Sequence, residues 1–595
     1  MSLKVHRSGV GGREVFQLFL IKPSHYDDDG YVIQWARSYL PSNSGAALYG
    51  IAEACAERRV LGDNVDLRIT VMDEMDTRIV PAQIIRQFRE GGGRGLVALV
   101  GVQSNQYPRA VDIARPLRVA GLPVCIGGFH AAGSLAMLPE PQPEIRAAWE
   151  LGISLFSGEA EGRLDQLLQD AWRGELKTLY DFRNDLPELE GTPTPFLPRE
   201  VIGRKLGWIS SFDAGRGCPF QCSFCTIINV QGRKSRHRSA DDVEAIVRKN
   251  NAQGITNFFI TDDNFARNRR WEEIFDRLGD LRATGAKCNV TIQVDTLCHR
   301  IPGFIAKAKR AGVSRAFIGL ETIAPDNLAA AKKKQNRITE YRTMLQAWKA
   351  AGVITVCGYI VGFPNDTPER LRHDIEIIKR ELPVDLLEFF ILTPLPGSED
   401  HQILHRNGVA MDPDLNNYDT EHVTTKHPLM SEEEWFRAYH DAWRAYYDPA
   451  HIETLVRRAA ACGIPTNRLL PTLLRFYASA VIEGVHPLQA GHLRRRYRRD
   501  RRPGLRLESP FVFYPRYAWE ILSKQVRRYR LARRYEAIRR RVEADPARAS
   551  YRDLALTPVT EAELGELEIF SATESAKQAV AKAQRLRPPP RQVAV

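Results

Sequence analysis

Residues 215–227 read GRGCPFQCSFCTI, and three of the chain's nine cysteines fall inside this stretch. Cys218, Cys222 and Cys225 make the spacing C-x-x-x-C-x-x-C, on a loop that follows the apolar run GWISSF (207–212). Three thiolates can hold three irons of a cubane cluster and leave the fourth iron without a protein ligand. A structural zinc site would want a fourth ligand close by. His237 is the one histidine near, and it lies farther from Cys225 than finger spacings allow.

Working outward, GWISSF opens an alternating series. Apolar runs recur at NFFITD (257–262), NVTIQVD (289–295), AFIGLE (316–321), TVCGYIVGF (355–363) and LLEFFILTP (386–394), with helical patterns such as SADDVEAIVRKNNAQG (239–254) between them. Six parallel strands with intervening helices and their working loops at one end predict a full or partial α/β barrel. Upstream, VFQLFLI (15–21), VDLRITVMD (65–73), GLVALVGVQ (95–103) and PVCIGG (123–128) alternate with helical stretches ending near glycine. That pattern predicts a doubly wound, Rossmann-like parallel sheet, which binds ligands over the carboxyl ends of its strands. The domains expected are a doubly wound unit over 1–170, a Pro-rich linker over 171–204, a barrel over 205–430 and a helical, basic region with a polar tail over 431–595. No internal repeat is visible.

The flanking motifs resemble the radical S-adenosylmethionine (SAM) superfamily over roughly residues 205–430. Beside the cysteines, FFITDDNF (258–265), FIGLET (317–322), KKKQN (332–336), GYIVGFPNDT (358–367) and ILTPLPGS (391–398) carry the likeness. The resemblance implies a [4Fe-4S] cluster on Cys218, Cys222 and Cys225, with SAM chelating the open iron. It implies SAM contacts at Phe224, Asp262, Asp263, Asn264, Glu321, Lys333, Gly358 and Gly362. Taken singly, either aspartate reads equally well as a helix cap or a strand-end turn. Cys288, Cys298 and Cys357 read as small buried apolar residues.

Residues 15–170 resemble the cobalamin-binding domain that precedes such a barrel in one large subfamily, through GVQSNQYPRAVDIA (101–114), VCIGGFH (124–130) and SGEAEG (157–162). The resemblance implies a cobalamin site drawn from Ser104, Gln106, Tyr107, Gly127, Gly128, Phe129, His130, Gly158 and Glu159. The D-x-H-x-x-G motif that carries a histidine to cobalt elsewhere is missing, so the axial position is left open. KPSHYDDDG (22–30) reads as a solvated turn or a lid over that cofactor. The activity implied is methylation of an unactivated carbon in a small-molecule or lipid substrate, through reductive cleavage of SAM, with electrons from an external flavodoxin- or ferredoxin-type donor. A radical rearrangement, cyclisation or C–C coupling without methyl transfer keeps the same fold. A tRNA-modifying sulfur inserter is disfavoured because no second cysteine triad is present, and an iron–sulfur sensor or scaffold would leave the barrel motifs unused.

The charge places one more feature. The net charge is +12, yet residues 491–550 hold 19 Lys/Arg against 6 Asp/Glu, so the rest of the chain is near neutral. Within this segment Trp519, Leu522, Val526 and Tyr529 step by three and four residues beside arginines. The readings are a helix docked on the barrel with a solvated basic face, peripheral contact with an anionic membrane, and a nucleic-acid surface, the last disfavoured. No apolar run reaches the length that spans a bilayer, and the N-terminal stretch lacks a signal-peptide pattern. The chain therefore reads as cytoplasmic, a compartment in which clustered thiols hold metal or do chemistry.

Overall fold

The computed structural model describes residues 13–558 and 566–586, so the start of the N-terminal stretch read for a signal and the tail from 587 lie outside the described residues. In the N-terminal part, strands β1 (Glu14–Lys22), β2 (Gln34–Ser38), β3 (Val65–Asp73), β4 (Gly95–Leu99), β5 (Val124–Gly127), β6 (Ser154–Ser157) and β7 (Leu179–Asp181) form in chain order. All but β2 join one parallel sheet in the order β3-β1-β4-β5-β6-β7. Two cores lie against this sheet. One gathers Phe19, Val97 and Ile126 with Ile84, Phe88 and Ile113; the other gathers Leu18, Leu20 and Leu96 with Ile51, Leu164 and Leu168. Alternate residues of β1 enter opposite cores, which is why its side chains are apolar on both faces. The order reverses between β1 and β4, and a crevice at such a switch point is where doubly wound sheets take ligands.

The expected linker is corrected by this sheet. Its first residues belong to the helix Leu164–Arg173, and β7 completes the sheet inside it. Leu189 and Leu197 are buried as well. A three-residue strand carries too little periodicity to be read beforehand.

The second sheet is built from β8 (Ile209–Phe212), β11 (Asn257–Ile260), β12 (Asn289–Val294), β13 (Val313–Glu321), β14 (Ile354–Val361) and β15 (Leu386–Ile391). Each pairs in parallel with the next, and β8 and β15 are the two edges, so the barrel is partial. Between β8 and β11, β9 (Gly215–Arg216) and β10 (Arg236–His237) pair antiparallel and enclose the cysteine loop. Beyond β15 the helix Glu432–Tyr446 covers the barrel: Trp435 Nε1 donates to the Val361 carbonyl at 2.9 Å, and the Tyr446 and Tyr447 hydroxyls donate to Val384 and Leu387.

The C-terminal region departs from the helical reading at one place. GHLRR forms β16 (Gly491–Arg495), which pairs antiparallel with β2 and ties this region to the N-terminal part. The helix Pro510–Ala544 then runs 35 residues. Two acids of HYDDDG are occupied by this region: Asp27 pairs with Arg494 and Arg496, and Asp29 with Arg496, while Asp28 pairs with His422 of the barrel segment. That loop is a strap anchor, which leaves its carboxylates committed to ion pairs. Among the described residues no helix is long and apolar enough to cross a membrane.

Candidate active site

Gly217, one residue before the first cysteine, has φ +88°, and a Cβ there would sit 2.5 Å from the Lys234 carbonyl. Only glycine closes the loop this tightly. Asp262 and Asp263, at the end of β11, hold the loop's entry. Asp262 Oδ1 accepts from the Ala214 and Gly215 amides at 2.7 and 2.8 Å, its Oδ2 accepts from Asn268, and Asp263 Oδ2 accepts from the Gly217 amide at 2.8 Å. Burial pushes both carboxyls up to about 7 against these bonds. Asp262 is therefore spent on backbone, and it positions the loop where a direct SAM contact was expected. Asn264 gives its Nδ2 to Asp295 at 3.0 Å and keeps a buried Oδ1 with no hydrogen-bond partner.

Of the three thiols, Cys222 is buried, and Gln335 Nε2 donates to its Sγ at 3.3 Å. Burial pushes the Cys218 thiol up to about 11 and the Cys225 thiol up to about 12. A bound metal reverses that balance by stabilising thiolate. Among the described residues no group of three His, Cys, Asp or Glu is placed to hold a single metal ion. A cubane takes one thiolate per iron, a wider arrangement.

Lys333 Nζ ion-pairs with Glu321 and lies 5.5 Å from the Phe224 ring centroid. Burial lowers the lysine's proton affinity, but Glu321 and the Cys222 and Cys225 sulfurs raise it further, for a net rise. Glu321 has φ +66°, at a shift in register between β13 and β14. A non-glycine residue held in the left-handed region costs of order 1 kcal/mol and marks a place the fold over-determines. A Cβ on Gly319 would lie 2.6 Å from Glu321 Oε1 and 3.0 Å from Lys333 Nζ, so this glycine leaves room for the pair, whereas a Cβ on Gly358 would press on the Phe317 ring at 3.2 Å. Gly362 is explained differently: at φ +107° its missing Cβ would fall 2.1 Å from the Trp435 indole, so helix packing demands the glycine. It also lines, with Ser223, Phe363 and Leu392, a cavity of 240 Å³ beside the loop.

At the switch point of the first sheet a cavity of 170 Å³ enters between strand ends and helices. Leu20, Ala47, Ile51 and Leu167 make its apolar wall, Gly127, Gly128, Phe129, Gly158 and Glu159 its mouth, and Arg216, Val230 and Gln231 close it from the barrel side. A Cβ on Gly128 would stand 2.1 Å from the Val102 amide nitrogen. The expected cobalamin set divides here. Ser104, Gln106, Tyr107 and His130 do not line the cavity. His130 is fully buried, with Nδ1 3.1 Å from Ser104 Oγ, Nε2 3.5 Å from Glu144 and its ring centroid 4.4 Å from that of Tyr107. These four pack the turn that sets the mouth.

Arg216 joins the two places and was missed in the sequence, although it stands inside the stretch that opens the reading. Its guanidinium donates to Glu159 at 2.7 Å and Glu161 at 2.6 Å and pairs with Asp213 at 3.2 Å, while Arg236 on β10 also pairs with Glu159. Gln335 was likewise missed, though KKKQN pointed at its segment.

Residues 214–378 match the model of the Radical SAM superfamily. The chain is 25% identical to bacteriochlorophyllide d C-8(2)-methyltransferase of Chlorobaculum tepidum, over 66% of this chain and 90% of that protein. It is 24% identical to hopanoid C-2 methylase of Rhodopseudomonas palustris, over 56% of this chain and 62% of that protein. Among solved structures, the methyltransferase TsrM from Kitasatospora setae with cobalamin and a [4Fe-4S] cluster bound is similar in fold, with a TM-score of 0.53 at 14% identity, covering 73% of this chain and 90% of its own. OxsB, a cobalamin-dependent SAM radical enzyme, gives a TM-score of 0.50 at 13% identity, covering 96% of this chain and 84% of its own.

Proposed function

For a protein whose residues 214–378 are a radical SAM domain, we propose a cobalamin-dependent enzyme that methylates an unactivated carbon of a small-molecule or lipid substrate. One observation carries the reading: Arg216, two residues before Cys218, also lines the first-sheet cavity and is bonded to Glu159 at its mouth. A corrin site and a cluster site would thus share one wall, as a reaction using both requires. The methyltransferases among the relatives and the fold shared with TsrM and OxsB support it.

The residues present suit the groups. Cys218, Cys222 and Cys225 would each take one iron. The buried, unpartnered Asn264 Oδ1 is an acceptor for an amino group, and the Glu321–Lys333 pair beside Phe224 offers a carboxylate and a cation at the same rim. The 170 Å³ crevice is too small for a whole corrin and suits a flat base of its nucleotide tail, its mouth shaped by Gly128 and Gly158, where a Cβ would strike the backbone at Val102 and Phe182. When bound, cluster, SAM and cobalamin supply an electron, a radical source and a methyl carrier. The chain's own share is to hold the loop through Asp262 and Asp263, tune Cys222 through Gln335, and keep bulk water from the buried pairs. An external one-electron donor completes the requirement.

Iron and cobalt counted per chain, in protein made without oxygen from cobalamin-fed cells, test the reading. About four irons and about one cobalt are expected, with product heavier than substrate by one methylene. Cys222→Ala is expected to lose both cluster and SAM cleavage. Iron without cobalt after reconstitution would remove methyl transfer from the reading, and SAM cleavage by the Cys222→Ala protein would remove the cluster assignment.

A further inference from the structure

The helix Pro510–Ala544 has two faces with opposite habits. One face is spent on the molecule: Phe513 packs on Tyr31 with ring centroids 5.3 Å apart, the Tyr517 hydroxyl donates to the Arg494 carbonyl, and Tyr535, Ile538 and Val542 enter the barrel's core. On the other face Phe511 is 91% exposed, Trp519 70%, Leu522 58% and Tyr529 63%, with Val526 between the last two. At 100° per residue these five lie within an arc of about 80°, a continuous apolar stripe along roughly 27 Å of helix. Solvent-facing stripes of this length mark a surface that is covered by something else.

The charges sort the same way. Cations turned toward the body have carboxylate partners: Lys524 with Glu520 and Glu483, Arg528 with Glu483, Arg539 with Glu536 and Glu543. Arg527, Arg530, Arg533 and Arg534 are exposed, and none has a carboxylate partner among the described residues. Arg527 reaches only the Val481 carbonyl, at 3.4 Å, and Arg533 only the Tyr529 hydroxyl. Arg540 and Arg541, exposed near the helix's end, pair with Glu536 and Glu453; the four arginines from 527 to 534 are the exposed cations that the helix leaves without a carboxylate partner among the described residues.

We propose that this face docks the protein on an anionic lipid bilayer, with Phe511, Trp519, Leu522 and Val526 in the headgroup–acyl boundary and the four arginines on lipid phosphates. Leu522 and Val526 within the stripe are aliphatic, which suits an acyl boundary and offers a base no ring to stack on, so the stripe favours lipid over a nucleic-acid surface. Aromatic residues along it and guanidinium groups alongside are what an interfacial helix requires. The surface does not depend on the reaction assigned to the cysteine loop, so Cys222→Ala protein is expected to dock as the wild type does.

The test is co-sedimentation of the full chain with vesicles of phosphatidylcholine alone and of phosphatidylcholine with about one-third phosphatidylglycerol, a composition that sets a strong negative surface potential. Binding to the anionic vesicles is expected to be at least about tenfold tighter and to fall with salt. Trp519→Ser with Leu522→Ser, and separately Arg527→Gln with Arg530→Gln and Arg534→Gln, are each expected to weaken it by about tenfold or more. Both sets change only exposed side chains, so circular dichroism and iron content should match the wild type. Equal binding to both vesicle types, wild-type binding by either variant, a self-association that the serine pair abolishes, or displacement from vesicles by tRNA would each overturn the proposal.

Discussion

Gln335 reaches the Cys222 sulfur through Nε2 at 3.3 Å, with both side chains buried. An N–H donor on a cluster thiolate stabilises the more negative, reduced state and raises the reduction potential. Gln335→Leu keeps the volume and removes the donor. The variant is expected to hold about four irons yet show a midpoint lower by on the order of tens of millivolts, with slower SAM cleavage at a fixed donor potential. Spectroelectrochemical titration checks it; an unchanged midpoint would mean the hydrogen bond does not survive cluster insertion. The two adjacent aspartates illustrate why residue roles resist reading from a chain. Asp262 and Asp263 stand where a ligand contact was expected, yet three of their bonds go to the amides of residues 214, 215 and 217. Sequence shows a carboxylate's position along a strand, whereas which amide has folded back to meet it depends on the loop.

At the scale of elements, β15 carries a buried acid inside the barrel wall. Glu388 is 1% exposed, its Oε1 has no hydrogen-bond partner, and His486 Nδ1 lies 3.8 Å away. Burial raises its carboxyl to about 8, partly offset by Arg475. The folded state thus keeps a proton that the unfolded chain, titrating near 4.5, gives up. Stability from this group is present below about 4.5 and is lost as pH rises toward about 8. Glu388→Gln is expected to melt roughly 1–4 °C higher than wild type at pH 9 and to converge with it at pH 5. Parallel melting curves across that range would show Glu388 ionised in the fold. The elements that could be read in advance share a cause. The twelve strands of the two parallel sheets include β14, buried at all eight positions, and such apolar runs announce themselves. What escaped was short or polar: β7 has three residues, and β16 is GHLRR, whose strand character comes from pairing with β2 across the molecule. The cysteine loop was legible because its chemistry is local in sequence, while the cavity mouth was legible only in its glycines, since His130 and Tyr107 turn inward.

At the scale of the whole molecule, the first sheet and the barrel are joined by buried ion clusters. Lys205 is fully buried with Nζ 2.6 Å from both Asp73 and Asp76, and β16 with the Asp27–Arg494–Arg496 group straps the C-terminal region over the same side. The cluster on Arg216 differs, because it lies between the cavity and the cysteine loop. Arg216 faces three acids, Asp213, Glu161 and Glu159; Glu159 has a second cation in Arg236 and Asp213 a longer contact with Arg238 at 3.8 Å, so Glu161 depends on Arg216 alone. Removing the arginine leaves the buried Glu161 with no ion-pair partner, which costs about 3–5 kcal/mol when nothing replaces the charge. Glu159→Gln strands no acid, leaves Arg216 its other two partners, and leaves Arg236 bonded to the Pro187 and Gln231 carbonyls. Arg216→Met should therefore loosen the junction far more than Glu159→Gln. The expected result is faster proteolytic cutting within residues 182–198 and loss of cobalt at nearly full iron content, with Glu159→Gln close to wild type in cutting. If Arg216→Met loses iron and cobalt together, the arginine is holding the cysteine loop itself. If it loses neither, the two sites are held in register by Lys205 and the C-terminal strap alone.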